Sequence, residues 1–416
     1  MSVSTLVLVV VVALILARGA MQLWLEAINQ RYVRRHADSV PEAFRQIIDE
    51  PTYRKSVQYT LTKGKFDHFE TVYDCAVLLI FLLSGVLPWA FYHFTARFGV
   101  STWSTAACLF LIMLAMSLPG LPLAWYDQFR LEERFGFNTT TQKTWWFDRA
   151  KGLLLGFVLG YPLLVLILNL FRWTGGLWWI WAWAVLLGFQ LLMAVLAPVL
   201  ILPLFNKFSP LPEGSLRERL LNLANRTRFV AKSVQIMDGS KRSRHSNAFF
   251  TGFGRFRKIV LFDTLIQQLS EPELEAVLAH EIGHFKKGHI PKMLVASALG
   301  SLLGFYILAF LANQPWFYHA FHFEPGNIAP ALLLFGLLSG ALTFWLSPVA
   351  HWWSRRYEYQ ADAFAAKVMD EPRSLVGALR KLNEKNLSNL TPHPFYSAFY
   401  YSHPTLLERE AALGST

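Results

Sequence analysis

Apolar residues in this chain come in long runs, without the strict alternation of a half-buried strand. Seven stretches, 5–25, 72–94, 102–126, 153–171, 177–205, 293–312 and 327–348, reach or approach the roughly 20 apolar residues a helix needs to cross a bilayer core. Arg18 interrupts the first, and a cleaved leader is the competing reading there. Residues 1–4 carry no positive side chain and no small-residue cleavage site follows, so a retained membrane helix is expected.

The polar positions between the runs orient them. Loops 26–71 and 127–152 hold eight and five Lys or Arg, whereas 95–101 holds only Arg97, 172–176 only Arg172, and 313–326 none. The tail after the last run begins with Arg355 and Arg356. Basic loops gather on the cytoplasmic side, so the alternation predicts an N-terminus outside and a C-terminus in the cytoplasm. The expected organisation is 1–205 as five membrane helices with basic loops, 206–292 as a cytoplasmic region, 293–348 as two more membrane helices, and 349–416 as a second cytoplasmic region.

Composition excludes the main alternatives. Hydrophobic residues make up 54% of the chain and charged ones 16%, with 15 Trp, 34 Phe and a mean hydropathy of +0.32. A soluble globule carries about 25% charged residues, and a disordered chain more charge and fewer apolar groups. Two cysteines, Cys75 and Cys108, both in apolar stretches, form no disulfide scaffold or cysteine-rich metal cluster and read as small buried apolar groups. The net charge of +11 lies between apolar runs, where a membrane protein keeps it, so no nucleic-acid partner is expected.

The chemistry concentrates in 270–284. Ser270 with Glu273 fits a capping box, Pro272 suits a first turn, and Leu274, Val277, Leu278 and Ile282 keep helical spacing up to a stop at Gly288 and Pro291. His280 and His284 then share one helix face and can reach one metal ion, with Glu281 beside them. This is the His-Glu-x-x-His pattern of zinc peptidases. A surface helix with two histidines is the plainer alternative, but it has no need of Ala279, Ile282 and Phe285 around them.

A third ligand must come from elsewhere. A metzincin extension needs Gly at 287 and His at 290, where this chain has Lys287 and Ile290; His289 misses the register by one and reads as a surface or interfacial residue. The better candidate is Glu358, four residues from Asp362 on one predicted helix face, with Asp362 free to orient a histidine from behind. A solvated, charged helix opening is the competing reading.

Taken together, His280, Glu281 and His284, followed after two further runs by Glu358 and Asp362, resemble the integral-membrane CAAX prenyl proteases of the zinc (gluzincin) type. Three more segments are similar: 203–208 (Pro-Leu-Phe-Asn-Lys-Phe), 246–252 (Ser-Asn-Ala-Phe-Phe-Thr-Gly) and 401–409 (Tyr-Ser-His-Pro-Thr-Leu-Leu-Glu-Arg). The resemblance implies an all-α multi-pass membrane protein, seven transmembrane helices around a water-filled chamber, with a small α+β zinc-metallopeptidase domain. It implies one zinc ion per chain held by His280, His284 and Glu358, with Glu281 as base and Asp362 behind the ligands. His403 and Arg409 match the family's C-terminal His and Arg that stabilise the oxyanion, and Asn247 and Ala248 the strand on which substrate is laid. The expected partners are a peptide or protein substrate, isoprenylated at a C-terminal CAAX motif or not, and the lipid bilayer, with the chain a monomer. The tail lacks a dilysine retrieval signal, which favours a bacterial inner membrane over the ER membrane of a eukaryote.

In the expected mechanism zinc keeps an open position for water, lowers its pKa to about 7 and polarises the scissile carbonyl, while Glu281 takes the proton. Residues 246–252, ahead of the β-rich 258–262, can offer an edge strand to an extended peptide, with a plain hairpin as the alternative. Two other functions compete: a quality-control protease of the HtpX type acting on unprenylated membrane proteins, and a seven-span receptor or transporter with structural zinc.

Overall fold

The apolar runs fold as helices in the computed structural model, which describes residues 1–45, 48–229, 233–246, 248–251, 258–371 and 373–414. Helix α1 (Val3–Arg35) starts where the Ser2 hydroxyl accepts from the Thr5 amide, and α2 (Glu50–Leu83) where Asp49 does the same for Thr52. Then follow α3 (Val86–Phe98), α4 (Thr102–Ser117), α5 (Gln142–Leu155), α6 (Tyr161–Thr174) and α7 (Trp178–Leu196).

By length and apolar composition, five described helical runs can cross a membrane, six if α2 and α3 form one bent span. Two differences separate these from the seven predicted stretches. The predicted 72–94 is not one straight helix: Gly85 adopts φ +74°, a left-handed conformation that suits glycine, and the axis bends by 52°. The run Gln142–Phe205 contains two predicted stretches. Its helix breaks at Gly175 (φ 54°, ψ −133°), where α6 and α7 pack against each other through Phe171 and Trp178.

Leu82, Phe91, Cys108, Ile112, Leu168, Trp178, Tyr318 and Leu334 form a buried core among these helices; both thiols are free, Cys108 buried as the sequence implied and Cys75 only part-buried beside that core. Leu153, Leu154, Phe157, Trp181, Leu299 and Leu303 remain exposed on the outside. Exposed apolar side chains on helices of this length fit hydrocarbon, where helices satisfy their own backbone groups.

The peptidase part begins with strand β1 (Phe208–Pro210) and helix α8 (Ser215–Arg226), then β2 (Ser233–Met237), β3 (Ala248–Thr251) and β4 (Lys258–Phe262). The sheet order is β1-β2-β4-β3; β2 and β4 run parallel, with Val234 opposite Ile259, while β3 pairs antiparallel to β4, with Ala248 opposite Leu261. β3 is therefore paired antiparallel on one side only and is, like β1, an edge strand of the sheet. Ile259, Val260 and Leu261 are each 1% exposed, so β4 is the buried centre.

Five further helices complete the chain's functional half: α9 (Glu271–Lys286), α10 (His289–Ala312), α11 (Ile328–Thr343), α12 (Ser347–Val368) and α13 (Arg373–Lys385). α14 (Pro394–Tyr400) and α15 (Leu406–Gly414) follow. α9 opens with the predicted capping box: Glu273 accepts from the Ser270 amide at 2.8 Å and from Lys381 Nζ at 2.7 Å. Its stop is a change of direction, because Gly288 (φ +65°) joins α9 directly to the membrane helix α10. On the other side, α11 continues through one tight turn into α12, and the two make an unbroken run, Ile328–Val368. Both helices of the site are thus extensions of one membrane hairpin.

Candidate active site

α9 and α12 cross at Gly283 and Ala361. A Cβ placed on Gly283 would lie 2.9 Å from the Ala361 Cα and 3.0 Å from its carbonyl oxygen, so only glycine permits this approach. Ala276, Ala279, Ala361 and Ala365, all 0% exposed, extend the contact. Because Glu358 lies one turn before Ala361, the crossing sets its side chain against the two imidazoles.

The result is a tight group. His284 Nε2 lies 3.2 Å from His280 Nε2; Glu358 Oε1 lies 3.3 Å from His284 Nε2, and Oε2 lies 3.4 Å from His280 Nε2. Ligand bonds of about 2.0–2.1 Å in a tetrahedron require ligand atoms about 3.3 Å apart, which these separations match. Among the described residues Glu358 Oε2 is buried without a hydrogen bond, an arrangement that costs free energy unless a cation faces it. His280, His284 and Glu358 are therefore the residues able to hold a metal.

Each imidazole is held from behind. His280 Nδ1–H donates to Asp362 Oδ1 at 2.8 Å, which leaves the Nε2 lone pair turned to the group. Asp362 in turn accepts from Arg409, Nε to Oδ2 at 2.8 Å and Nη2 to Oδ1 at 2.5 Å. Arg409 is 8% exposed, and its Nη1 is 4.0 Å from Glu358 Oε2. Although burial opposes it, the hydrogen bond to Asp362 and the Glu358 carboxylate beside it raise the His280 imidazole to about 9 in the absence of metal, so the site favours positive charge.

Glu281 follows His280 and is half-buried. Burial pushes its carboxyl up; the two imidazoles pull it down, and Glu358 adds to the rise. His403 reaches in from the segment before α15, with Nε2 3.4 Å from Glu358 Oε1 and Nδ1 3.0 Å from the Ser402 hydroxyl, and its side chain is 64% exposed. Ala248 opens β3, which packs against α9; Asn247 lies outside the described residues.

His289 differs from its sequence reading. It is 1% exposed rather than on the surface, with Nδ1 3.0 Å from His284 Nδ1 and Nε2 3.0 Å from Gln360 Oε1, and its ring stacks on Tyr357 at 4.0 Å. The αL turn at Gly288 folds it back on α9, which a helical register count does not include. Its place between a glycine and a long apolar run was the available signal. Gln360 and Tyr357 carried none.

The sequence also carried no signal for the pairing of Glu132, Tyr59, His245, Arg242 and Asp148 in a second polar cluster. Glu132 accepts from Tyr59 at 2.7 Å and faces His245 at 3.4 Å, and Arg242 donates to both oxygens of Asp148 at 2.8 and 3.1 Å. These residues, with Asp127 and Gln128, line a cavity of about 1210 Å³ between the membrane helices and the loop after β2.

Comparison with known proteins places the chain. Residues 29–207 match the family described as CAAX prenyl protease N-terminal, five membrane helices, and residues 210–416 match peptidase family M48. CAAX prenyl protease 1 of Saccharomyces cerevisiae is 37% identical over 92% of this chain and 90% of its own length. The CAAX prenyl protease 1 homologue of Homo sapiens is 33% identical, with the same coverage. The crystal structure of Saccharomyces mikatae Ste24p superposes with a TM-score of 0.90, at 34% identity over 98% of both chains.

Proposed function

The chain belongs to peptidase family M48, as a membrane metalloendopeptidase of the CAAX prenyl protease type, and on that footing we propose that it hydrolyses peptide bonds near the C-termini of CAAX proteins, isoprenylated ones among them. The observation that carries the assignment of the site is the convergence of two imidazole Nε2 atoms and the Glu358 carboxylate at mutual separations of 3.2–3.4 Å.

In this reading His280, His284 and Glu358 hold one zinc ion per chain, since two nitrogens and a carboxylate with a position left open are a zinc-enzyme donor set. When bound, the metal supplies Lewis acidity toward the scissile carbonyl and makes water more acidic. Glu281 takes the proton of the attacking water on a carboxylate oxygen and passes it to the leaving amine; a carboxyl raised by burial suits both transfers. His403, open to the substrate side, donates to the oxyanion, a role whose removal costs roughly 10²–10³ in rate. Arg409 already gives two N–H groups to Asp362, so it acts on the oxyanion through its charge while it steadies Asp362 and, through it, His280.

Substrate backbone pairs along Asn247 and Ala248, and main-chain bonding there tolerates varied side chains. The outermost place of β3 and its packing on α9 support this. The basic loops support an N-terminus outside and a cytoplasmic peptidase region built from 206–292 and 349–416, with 1–205 and 293–348 in the bilayer.

Incubating the purified, metal-loaded protein with matched farnesylated and unmodified CAAX peptides, and weighing the products by mass spectrometry, tests the proposal. Release of a C-terminal tripeptide from the farnesylated peptide is expected. Cleavage of neither peptide would reject it.

A further inference from the structure

We infer that His289 is a positioning residue for the metal, fixing through its own ring which nitrogen of His284 carries the proton. The inference rests on His280, His284 and Glu358 being the ligands. The four polar atoms behind His284 leave one consistent arrangement. A lone pair on His284 Nε2 requires the proton on Nδ1, and the atom 3.0 Å from that Nδ1 is His289 Nδ1, which must therefore accept. His289 then keeps its proton on Nε2, where Gln360 Oε1 accepts it at 3.0 Å. Every nitrogen is used once and the chain of bonds is neutral. The opposite polarity, with a Gln360 amide donating inward, would put a proton on His284 Nε2 and close the site to a cation.

Packing holds the relay in place. His289 is 1% exposed and stacks on Tyr357 with 11° between the rings, while Gln360 extends from the same helix toward solvent. The two imidazole ligands thus have unlike supports: His280 leans on the Asp362 carboxylate, which Arg409 holds, and His284 leans on a neutral imidazole. Because His289 is the first residue of α10 and Tyr357 and Gln360 belong to α12, the relay ties His284 to both arms of the membrane hairpin.

The test is zinc affinity of the full-length protein in detergent, measured by competition with a chromophoric chelator, with the visible spectrum of the cobalt-loaded protein as a second readout. His289→Phe keeps the ring stack and loses the acceptor; zinc affinity is expected to fall about 10–100-fold and the cobalt bands to shift. His289→Asn, which can place a carbonyl oxygen near the lost Nδ1, is expected to restore most of the affinity. Equal affinity in wild type and His289→Phe overturns the inference, as does failure of Asn to rescue when the metal-free melting temperature has dropped for both. Should His289→Phe not fold, Gln360→Met decides: weaker zinc binding supports the relay and unchanged binding refutes it. A wild-type protein that binds no zinc defeats the assignment of the ligands themselves, a result distinct from any of these.

Discussion

Among single residues, Glu281 is the one by which the proposed mechanism separates holding a metal from using one. Its carboxyl is pushed up by burial against the opposing pull of the two imidazoles. A purely structural metal site has no work for such a group. Glu281→Ala is therefore expected to retain metal, read by elemental analysis, while peptide hydrolysis falls by about 10²–10⁴-fold, the range of general-base contributions. Hydrolysis at the parent rate would remove Glu281 from the mechanism. At this scale the sequence was most informative where chemistry needs several residue types in one register. His280, Glu281 and His284 could be read directly, because a helix places i and i+4 together whatever surrounds it. His289 could not, because its partner lies across a left-handed turn and its burial comes from Tyr357 on another helix.

Between elements, the site depends on how closely α9 and α12 approach. Helix crossings are set by the smallest side chains at the contact, and here Gly283 meets the Ala361 backbone. Gly283→Ala would gain helix propensity of about 1 kcal/mol, yet overpacking against backbone typically costs 1–3 kcal/mol and moves one helix. The expected outcome is weaker metal binding, with α9 still helical by circular dichroism, because Glu358 moves with α12 while both imidazoles stay on α9. Metal affinity equal to the parent's would mean that the crossing does not set the ligand geometry. Glycine between the two histidines was visible in the sequence; that it faces an alanine 78 positions later was not.

For the whole molecule, the membrane hairpin α10–α11 separates the proposed ligands in sequence and its two ends bring them together in space. A metal that joins α9 to α12 therefore cross-links the beginning and end of that hairpin, and binding to the folded state alone stabilises by about 4 kcal/mol at a thousandfold excess over Kd. Chelation is expected to lower the melting temperature of the wild-type protein in detergent, with the midpoint rising again as zinc is added back. The same treatment should leave Glu358→Ala unchanged. Coincident melting curves for loaded and chelated wild-type protein would show that the ion does not fasten the hairpin.

The amino-acid sequence determined by itself what local physics controls. It gave rise to membrane-length helices wherever apolar runs exceed what water tolerates, the capped helix that sets His280 and His284 one turn apart, and Glu358 and Asp362 on a common face. Tertiary structure decided the rest: the bend at Gly85, the outer position of β3, the commitment of Arg409 to Asp362, and the burial of His289 behind His284. These depend on distances between elements remote along the chain, and such distances follow from packing, which no local pattern of residues encodes.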